Sequence, residues 1–250
     1  MHNTNKAPLS KTQMGIYVDN LASPESTLYN IPLLGKLGKD ICVERLKYAL
    51  TKAGQAHPGL NTRIYLDENG EVLQQISDDI CIVDVIEMSD AEFAQRKESL
   101  VRPFELLGGK LYRFEIYITP SGNYWFQDIH HIICDGFSLG ILSSDIRRAY
   151  DGEENDTERH TSIDIALEEM QARQHEEYMR AREYYACLLN ECETDSLPVR
   201  DAFDKTPRQG WLKHKFQVDE AVFKAFRREA GISTTAFFTG VMGFLTAKYN

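Results

Sequence analysis

Positive charge is the first thing this sequence is short of. Its 250 residues hold 28 Lys and Arg against 38 Asp and Glu, a formal net charge of −10. A chain this acidic gains nothing from counterion release on a polyanion, so no nucleic-acid partner is expected. Anionic membrane surfaces should repel it as well. Long apolar runs are also missing: no stretch reaches the roughly 18–20 residues that span a bilayer. The opening MHNTNKAPLS carries no apolar signal core. These absences set the expectation of a cytoplasmic protein that engages no membrane. The cysteines Cys42, Cys81, Cys134, Cys187 and Cys192 are odd in number and form no CxxC pair, so neither a disulfide framework nor a zinc knuckle is indicated. They read as reduced thiols, mostly packed in the core, and no metal site is expected. Internal repeats and low-complexity tracts are absent.

What remains is globular. Hydrophobic residues make up 42% and charged residues 26%, enough to bury a sizeable core and too apolar for disorder. The length allows between one and two domains. A short helix over 9–21 starts at Ser10 as N-cap, and a strand covers 28–37. Asp40 caps a helix to about Ala56, stopped by His57-Pro58-Gly59. Strands follow at 60–66, 71–76 and 80–86, then a helix from Ser89-Asp90 to about Leu100. Residues 111–118 place Tyr112, Phe114, Ile116 and Ile118 on one face; a turn at 120–123 returns the chain along 124–133. A helix runs from Ser138 to about Tyr150, and a single long helix from 162 to about 191. Leu197-Pro198 marks an exit into a loop. A strand near 211–218 and helices near 219–230 and 234–249 complete the chain. The last helix is apolar on most sides, which predicts that it is buried.

One segment carries chemistry: His130-His131-Ile132-Ile133-Cys134-Asp135-Gly136. At this composition roughly 0.001 matches to HHxxxDG would arise by chance. Neighbouring side chains on a strand point to opposite faces, so one histidine should face a reacting group and the other the packing. Asp135 follows across a turn, where it could orient an imidazole as a triad aspartate does. Gly136 lets backbone bend or a ligand pass closely. Cys134 reads as a packed thiol rather than a nucleophile, Ser138 as a helix N-cap, and Asp128 as a poor partner for His131 because it lies on the opposite face.

HHIICDGFSLGIL resembles the HHxxxDG signature of the condensation domains of nonribosomal peptide synthetases. LSKTQMGIY, with Ser10, Gln13, Gly15 and Tyr17, is similar to that family's opening motif. HPGLNTRI resembles its second motif: Thr62 and Arg63 match, whereas Asn61 stands where arginine is usual and Pro58 where glutamate is usual. RPFELLGGKLYRFEIY, Tyr184-Tyr185 and Leu197-Pro198 extend the likeness over nearly the whole chain, which corresponds to the first half of the family's domain. The resemblance implies an α+β fold: a chloramphenicol acetyltransferase-like lobe with a mixed sheet flanked by helices, plus the start of a second, similar lobe. Residues 1–190 would be the N-terminal lobe, and 191–250 the linker and truncated beginning of the C-terminal lobe.

The family's reaction joins an upstream acyl or peptidyl thioester to a downstream aminoacyl thioester. Both arrive on phosphopantetheine arms of carrier domains, with an adenylation domain in the same synthetase and no intrinsic cofactor. The resemblance puts His131 beside the acceptor amine. As a base it would take a proton from an α-ammonium, uphill by about 1.3 pKa units or roughly 1.8 kcal/mol; orientation alone is the other open role. The resemblance makes Asp135 a structural ion-pair partner for an arginine, with Arg63 in that position, and makes His130 a packing residue. Gly136 would leave room for the phosphopantetheine arm or lend its N–H to the oxyanion. Phe137-Ser138-Leu139-Gly140 favours condensation over the related epimerization domains. The rival readings are a coenzyme A-dependent acyltransferase of the same superfamily and a non-catalytic lobe that binds carrier proteins. The fragment alone is expected to be inactive.

Overall fold

The computed structural model describes residues 6–190, 215 and 217–249. The Leu197-Pro198 exit, Cys192 and most of the strand expected near 211–218 lie outside the described residues. Two compact units divide the chain, Met1–Met179 and Arg180–Asn250.

In chain order the elements are β1 (Lys6–Pro8), α1 (Lys11–Ala22), β2 (Asn30–Lys36), α2 (Val43–Ala56), a 3-10 turn (Pro58–Asn61), β3 (Thr62–Leu66), β4 (Val72–Ile76) and β5 (Asp84–Glu87). Then come α3 (Asp90–Lys97), β6 (Tyr112–Thr119), β7 (Gly122–His130), α4 (Gly136–Asp151), α5 (Ser162–Ala172), α6 (Glu176–Leu189), α7 (Glu220–Ala230) and α8 (Thr234–Tyr249). Capping chemistry fixes several starts: Ser10 with Gln13 and Ser89 with Glu92 form reciprocal capping boxes at α1 and α3.

Two sheets form in the first unit, β1-β4-β3 and β2-β7-β6-β5. The second is mixed: β5 runs parallel to β6, while β6–β7 and β2–β7 are antiparallel. Both faces of β6 and β7 are covered, which is why β6 is buried along most of its length. On one face Tyr112, Phe114, Ile116 and Ile129 pack with Leu46 and Leu50 of α2 and Leu142 and Ile146 of α4. On the other, Tyr117 and Phe126 pack with Phe93 of α3, the Phe93 and Tyr117 rings 5.1 Å apart. A separate cluster joins Tyr17, Ile64, Phe104, Leu111 and Ile132, so the segment after β7 sits in its own apolar seat.

Six expectations are corrected. The cap of α2 is Cys42, not Asp40, and α4 begins at Asp135 with Ser138 in its first turn. Strand β5 starts at Asp84 rather than 80, because Cys81 and Val83 turn into the core before pairing with β6 begins at Glu115. The return strand ends at His130, not 133, since three residues of turn must reverse the chain into α4. The single helix of 162–191 is two, α5 and α6, interrupted at Arg173–His175, and only Ile163 and Ala166 of its apolar stripe are buried. Of the four described cysteines, Cys81 and Cys134 are buried but Cys42 and Cys187 are exposed.

In the second unit Asp219 caps α7 and Gly231, at φ 63°, closes it. Phe223 of α7 meets Phe237 of α8 edge-on at 5.1 Å. Yet α8 has no buried residue, and Met242 and Phe244 are more than half exposed. The expected burial of this helix is not seen among the described residues.

The packing of α2 is tight at one point. A Cβ on Gly54 would overlap the Sγ and Cβ of Cys81. Alanine gains about 1 kcal/mol over glycine in a free helix, whereas overpacking a filled core costs about 1–3 kcal/mol. Gly54→Ala is therefore expected to lower the urea midpoint, and adding Cys81→Ala to it should recover part of the loss. A Gly54→Ala chain as stable as its parent would contradict this packing.

Candidate functional site

The HHxxxDG segment occupies the end of β7, the turn after it and the start of α4. His130 pairs with Asn30 of β2 and donates its N–H to Leu111 O at 2.9 Å. Its ring is 1% exposed, 5.7 Å from Phe104 edge-to-face and 6.1 Å from Tyr29. Burial, then the neighbouring His131 and Arg113, push its pKa down to about 4. A neutral His130 can accept a hydrogen bond, and its Nδ1 takes one from the Ile132 N–H at 3.2 Å. That bond makes the ring part of the turn.

His131 is the next residue and lies outside the strand. Its N–H donates to Tyr29 O at 2.7 Å, and its side chain is exposed. The two histidines thus part company, one sealed beneath Phe104 and the other presented outward. The turn is pinned by a residue of the opening motif. Gln13, buried in α1, donates to Ile132 O at 3.1 Å and to Gln74 Oε1 at 3.0 Å, while Gln74 donates to Pro8 O at 3.0 Å. Sequence reasoning singled out Gln13 only as a motif position; Gln74, a polar residue with 0% exposure in the middle of β4, carried no sequence signal.

Asp135 is the N-cap of α4. Its Oδ1 accepts from Ser138 N at 2.8 Å and Ser138 Oγ at 2.7 Å, bonds that hold its carboxyl below the usual aspartate range. Arg63 lies elsewhere, paired with Asp79 at 2.7 Å. The Asp135–Arg63 ion pair expected from the second motif is therefore absent. Asn61, where the family motif carries arginine, instead donates to Asp79 O at 2.7 Å. Among the described residues no hydrogen bond joins Asp135 to the His131 ring. Gly136 opens α4, and a Cβ there would meet nothing within 4 Å. Cys134 is buried, its thiol pushed up to about 11 chiefly by desolvation, so it stays protonated and is no nucleophile at neutral pH.

Beside the turn lies a cleft of about 430 Å³ whose walls include Cys134, Ser138, Leu142, Asp145 and Ile165, with His57 at one end. His57 Nε2 stands 2.9 Å from Asp145 Oδ2, and Nδ1 3.8 Å from Glu158 Oε2. The Glu158 carboxylate first, and Asp145 after it, raise the His57 pKa against an opposing desolvation. No local pattern announces this contact, because its three members come from three segments.

With this geometry in place, comparison with known proteins identifies the family. The condensation-domain family model matches residues 3–250, and the chain belongs to that family. It is 29% identical over 203 residues to tyrocidine synthase 3 of Brevibacillus parabrevis, a match covering 80% of this chain and 3% of that protein. The condensation domain of the Monacolin K polyketide synthase MokA superposes with a TM-score of 0.74 at 18% identity, over 98% of this chain and 60% of that one. A mutant of the starter condensation domain of rhizomide synthetase RzmA, in complex with C8-CoA and Leu-SNAC, gives 0.64 at 17% identity, over 79% of this chain and 48% of that one. The α+β fold with its mixed sheet flanked by helices is that of condensation domains. The chain spans about half the length of these solved domains and a few per cent of the curated relatives.

Two outcomes follow from this geometry. The raised pKa of His57 means that its ion pairs stabilise the fold fully below the unfolded value near 6.5 and fade as pH rises through the folded one. His57→Asn should therefore destabilise the chain more at pH 5.5 than at pH 8.5 in urea titrations; equal losses at both would refute the pairing. Gly136→Ala, with open space around the new methyl, should change stability by no more than about 0.5 kcal/mol.

Proposed function

We propose that this chain is the N-terminal part of a condensation domain that forms an amide between a donor acyl or peptidyl thioester and an acceptor aminoacyl thioester. Residues 1–190 are then the N-terminal lobe, and 191–250 the linker and the beginning of the C-terminal lobe. The observation that carries the reading is the split of the histidine pair. His130 is buried and kept neutral, while His131 is held by its backbone with its imidazole outward, at a turn where Gln13 holds Ile132 O and the His130 ring holds Ile132 N–H. A group so placed costs little reorganisation when a reactant arrives.

In the proposed reaction the acceptor nitrogen attacks the thioester carbonyl. The N–C bond forms, the C–S bond breaks, and the departing thiolate takes up the proton the amine loses. The His131 imidazole receives that proton or orients the N–H bearing it. Asp135 acts on this turn by capping α4, not by pairing with Arg63. The open space at Gly136 is compatible with a phosphopantetheine arm passing close to the backbone. No intrinsic cofactor is needed, because thioester activation is supplied on the partners. The partners are upstream and downstream carrier domains, with an adenylation domain in the same synthetase. The relationship to tyrocidine synthase 3, a protein far longer than this chain, supports a multidomain setting. The structure of an RzmA starter condensation domain mutant in complex with C8-CoA and Leu-SNAC is consistent with thioester-bound partners. The acidic balance and the lack, among the described residues, of any single helix long and apolar enough to cross a membrane support a cytoplasmic enzyme.

The test uses the full-length gene product and carrier domains loaded with donor and acceptor. His131→Ala should lower amide formation by about 100-fold or more; an unchanged yield rejects the role of His131. Acyl transfer from soluble acyl-CoA to a free alcohol, with none between carriers, would favour the coenzyme A-dependent rival. The 250-residue chain alone is expected to make no amide.

A further inference from the structure

Beneath the histidine pair lies a buried charge that the proposed reaction does not use. Asp128 sits two residues before His130 on the same face of β7 and is fully buried. Its Oδ2 accepts from Asn30 Nδ2 at 2.7 Å and from Arg113 Nη1 at 2.9 Å, whereas Oδ1 has no hydrogen-bond partner. Arg113 is opposite it on β6. The same guanidinium donates to Arg102 O at 2.8 Å and to Pro103 O at 2.6 Å, and its Cζ lies over the Phe104 ring, 3.7 Å from the ring centre. Phe104 in turn is the edge-to-face neighbour of His130.

One cation thus joins three things: a carboxylate on the catalytic strand, two carbonyls of the segment before β6, and the aromatic ring that covers His130. A planar fork with several fixed donors can make all these contacts at once; a lysine ammonium cannot. The arrangement is poor as a pure stabiliser, because burial raises the Asp128 pKa and lowers that of Arg113 despite their attraction. What the arrangement does fix is position. If Phe104 moves away, His130 gains room and water, its bond to Ile132 N–H competes with solvent, and the turn carrying His131 loses its seat.

We propose that Arg113, through Phe104, is a positioning residue for His131, holding the pair in the one arrangement in which His130 is covered and His131 is presented. This rests on the reading of His131 as the catalytic imidazole.

Two variants test it, each compared with His131→Ala in the full-length gene product and by NMR of the 250-residue chain with labelled histidine. Arg113→Lys keeps the charge opposite Asp128 and loses the fork. Phe104→Leu keeps the ion pair and removes the ring. Both are expected to remain folded by circular dichroism, to lower kcat for amide formation by about 10- to 100-fold with KM little changed, and to move the His130 titration upward toward the ordinary histidine range. If Phe104→Leu leaves both kcat and the His130 titration where they were, the proposal is overturned even if Arg113→Lys fails to fold. If His131→Ala retains full activity, the catalytic reading falls instead; the histidine spectra still report whether Arg113 and Phe104 set the arrangement of the pair.

Discussion

A strand that ends inside a protein must do something with the backbone groups its ladder no longer pairs, and this constraint governs the molecule around residue 131. Unpaired buried N–H and C=O groups cost as much as lost hydrogen bonds. Here several of them are met from different parts of the fold. Tyr29 O of the segment leading into β2 takes the His131 N–H, and the His130 ring takes that of Ile132. His130 O takes the N–H of Ile133, and the buried amide of Gln13 reaches Ile132 O from α1. Asp135 then opens the next helix by meeting the amide of Ser138. The turn is tied down by partners from α1, from the residue before β2 and from the strand itself. The proposed chemistry depends on those ties.

Buried charge serves the same end. The face of β6 and β7 that carries His130 also carries Arg113, Glu115, Tyr117 and Asp128. Arg102 reaches Glu115 at 2.7 Å, and Tyr117 donates to the other oxygen of that carboxylate. Burial raises the Tyr117 phenol to about 12, so it remains a donor. Such pairs buy little net stability, since desolvation offsets attraction. They do fix the 100–104 segment to one register on the sheet, and that segment supplies the cover for His130. A purely apolar face would pack as well but would tolerate sliding.

Much of this was legible before any coordinates. The helix starts at Ser10 and Ser89, the paired strands near 60–66 and 71–76 and the β6–β7 hairpin are local chemistry, and each falls close to where local rules put it. The HHxxxDG spacing pointed to the site, and alternation along a strand predicted that the two histidines would face different ways. The misses share a cause. The break between α5 and α6 has no proline or glycine to announce it, and the expected stripe did not reveal that only its first turns are covered. Asp135 and Ser138 are both good caps, and choosing between them required knowing where the turn ends. Arg63 went to Asp79 rather than Asp135 because pairing depends on which segments meet, and Asp79 is delivered by the chain leaving β4.

Sequence alone therefore determined several helix starts, the alternating faces of the hairpin, the family likeness and the segment in which the candidate site lies. These depend on interactions within a few positions of the chain, where composition and spacing are sufficient. Tertiary structure decided the rest: that Arg113 grips Asp128 and Phe104, that Gln13 reaches the turn after β7, and that His57 joins Asp145 and Glu158 across 88 and 101 positions respectively. Long-range partners are selected by which elements the core forces together, and no spacing rule along the chain encodes that choice.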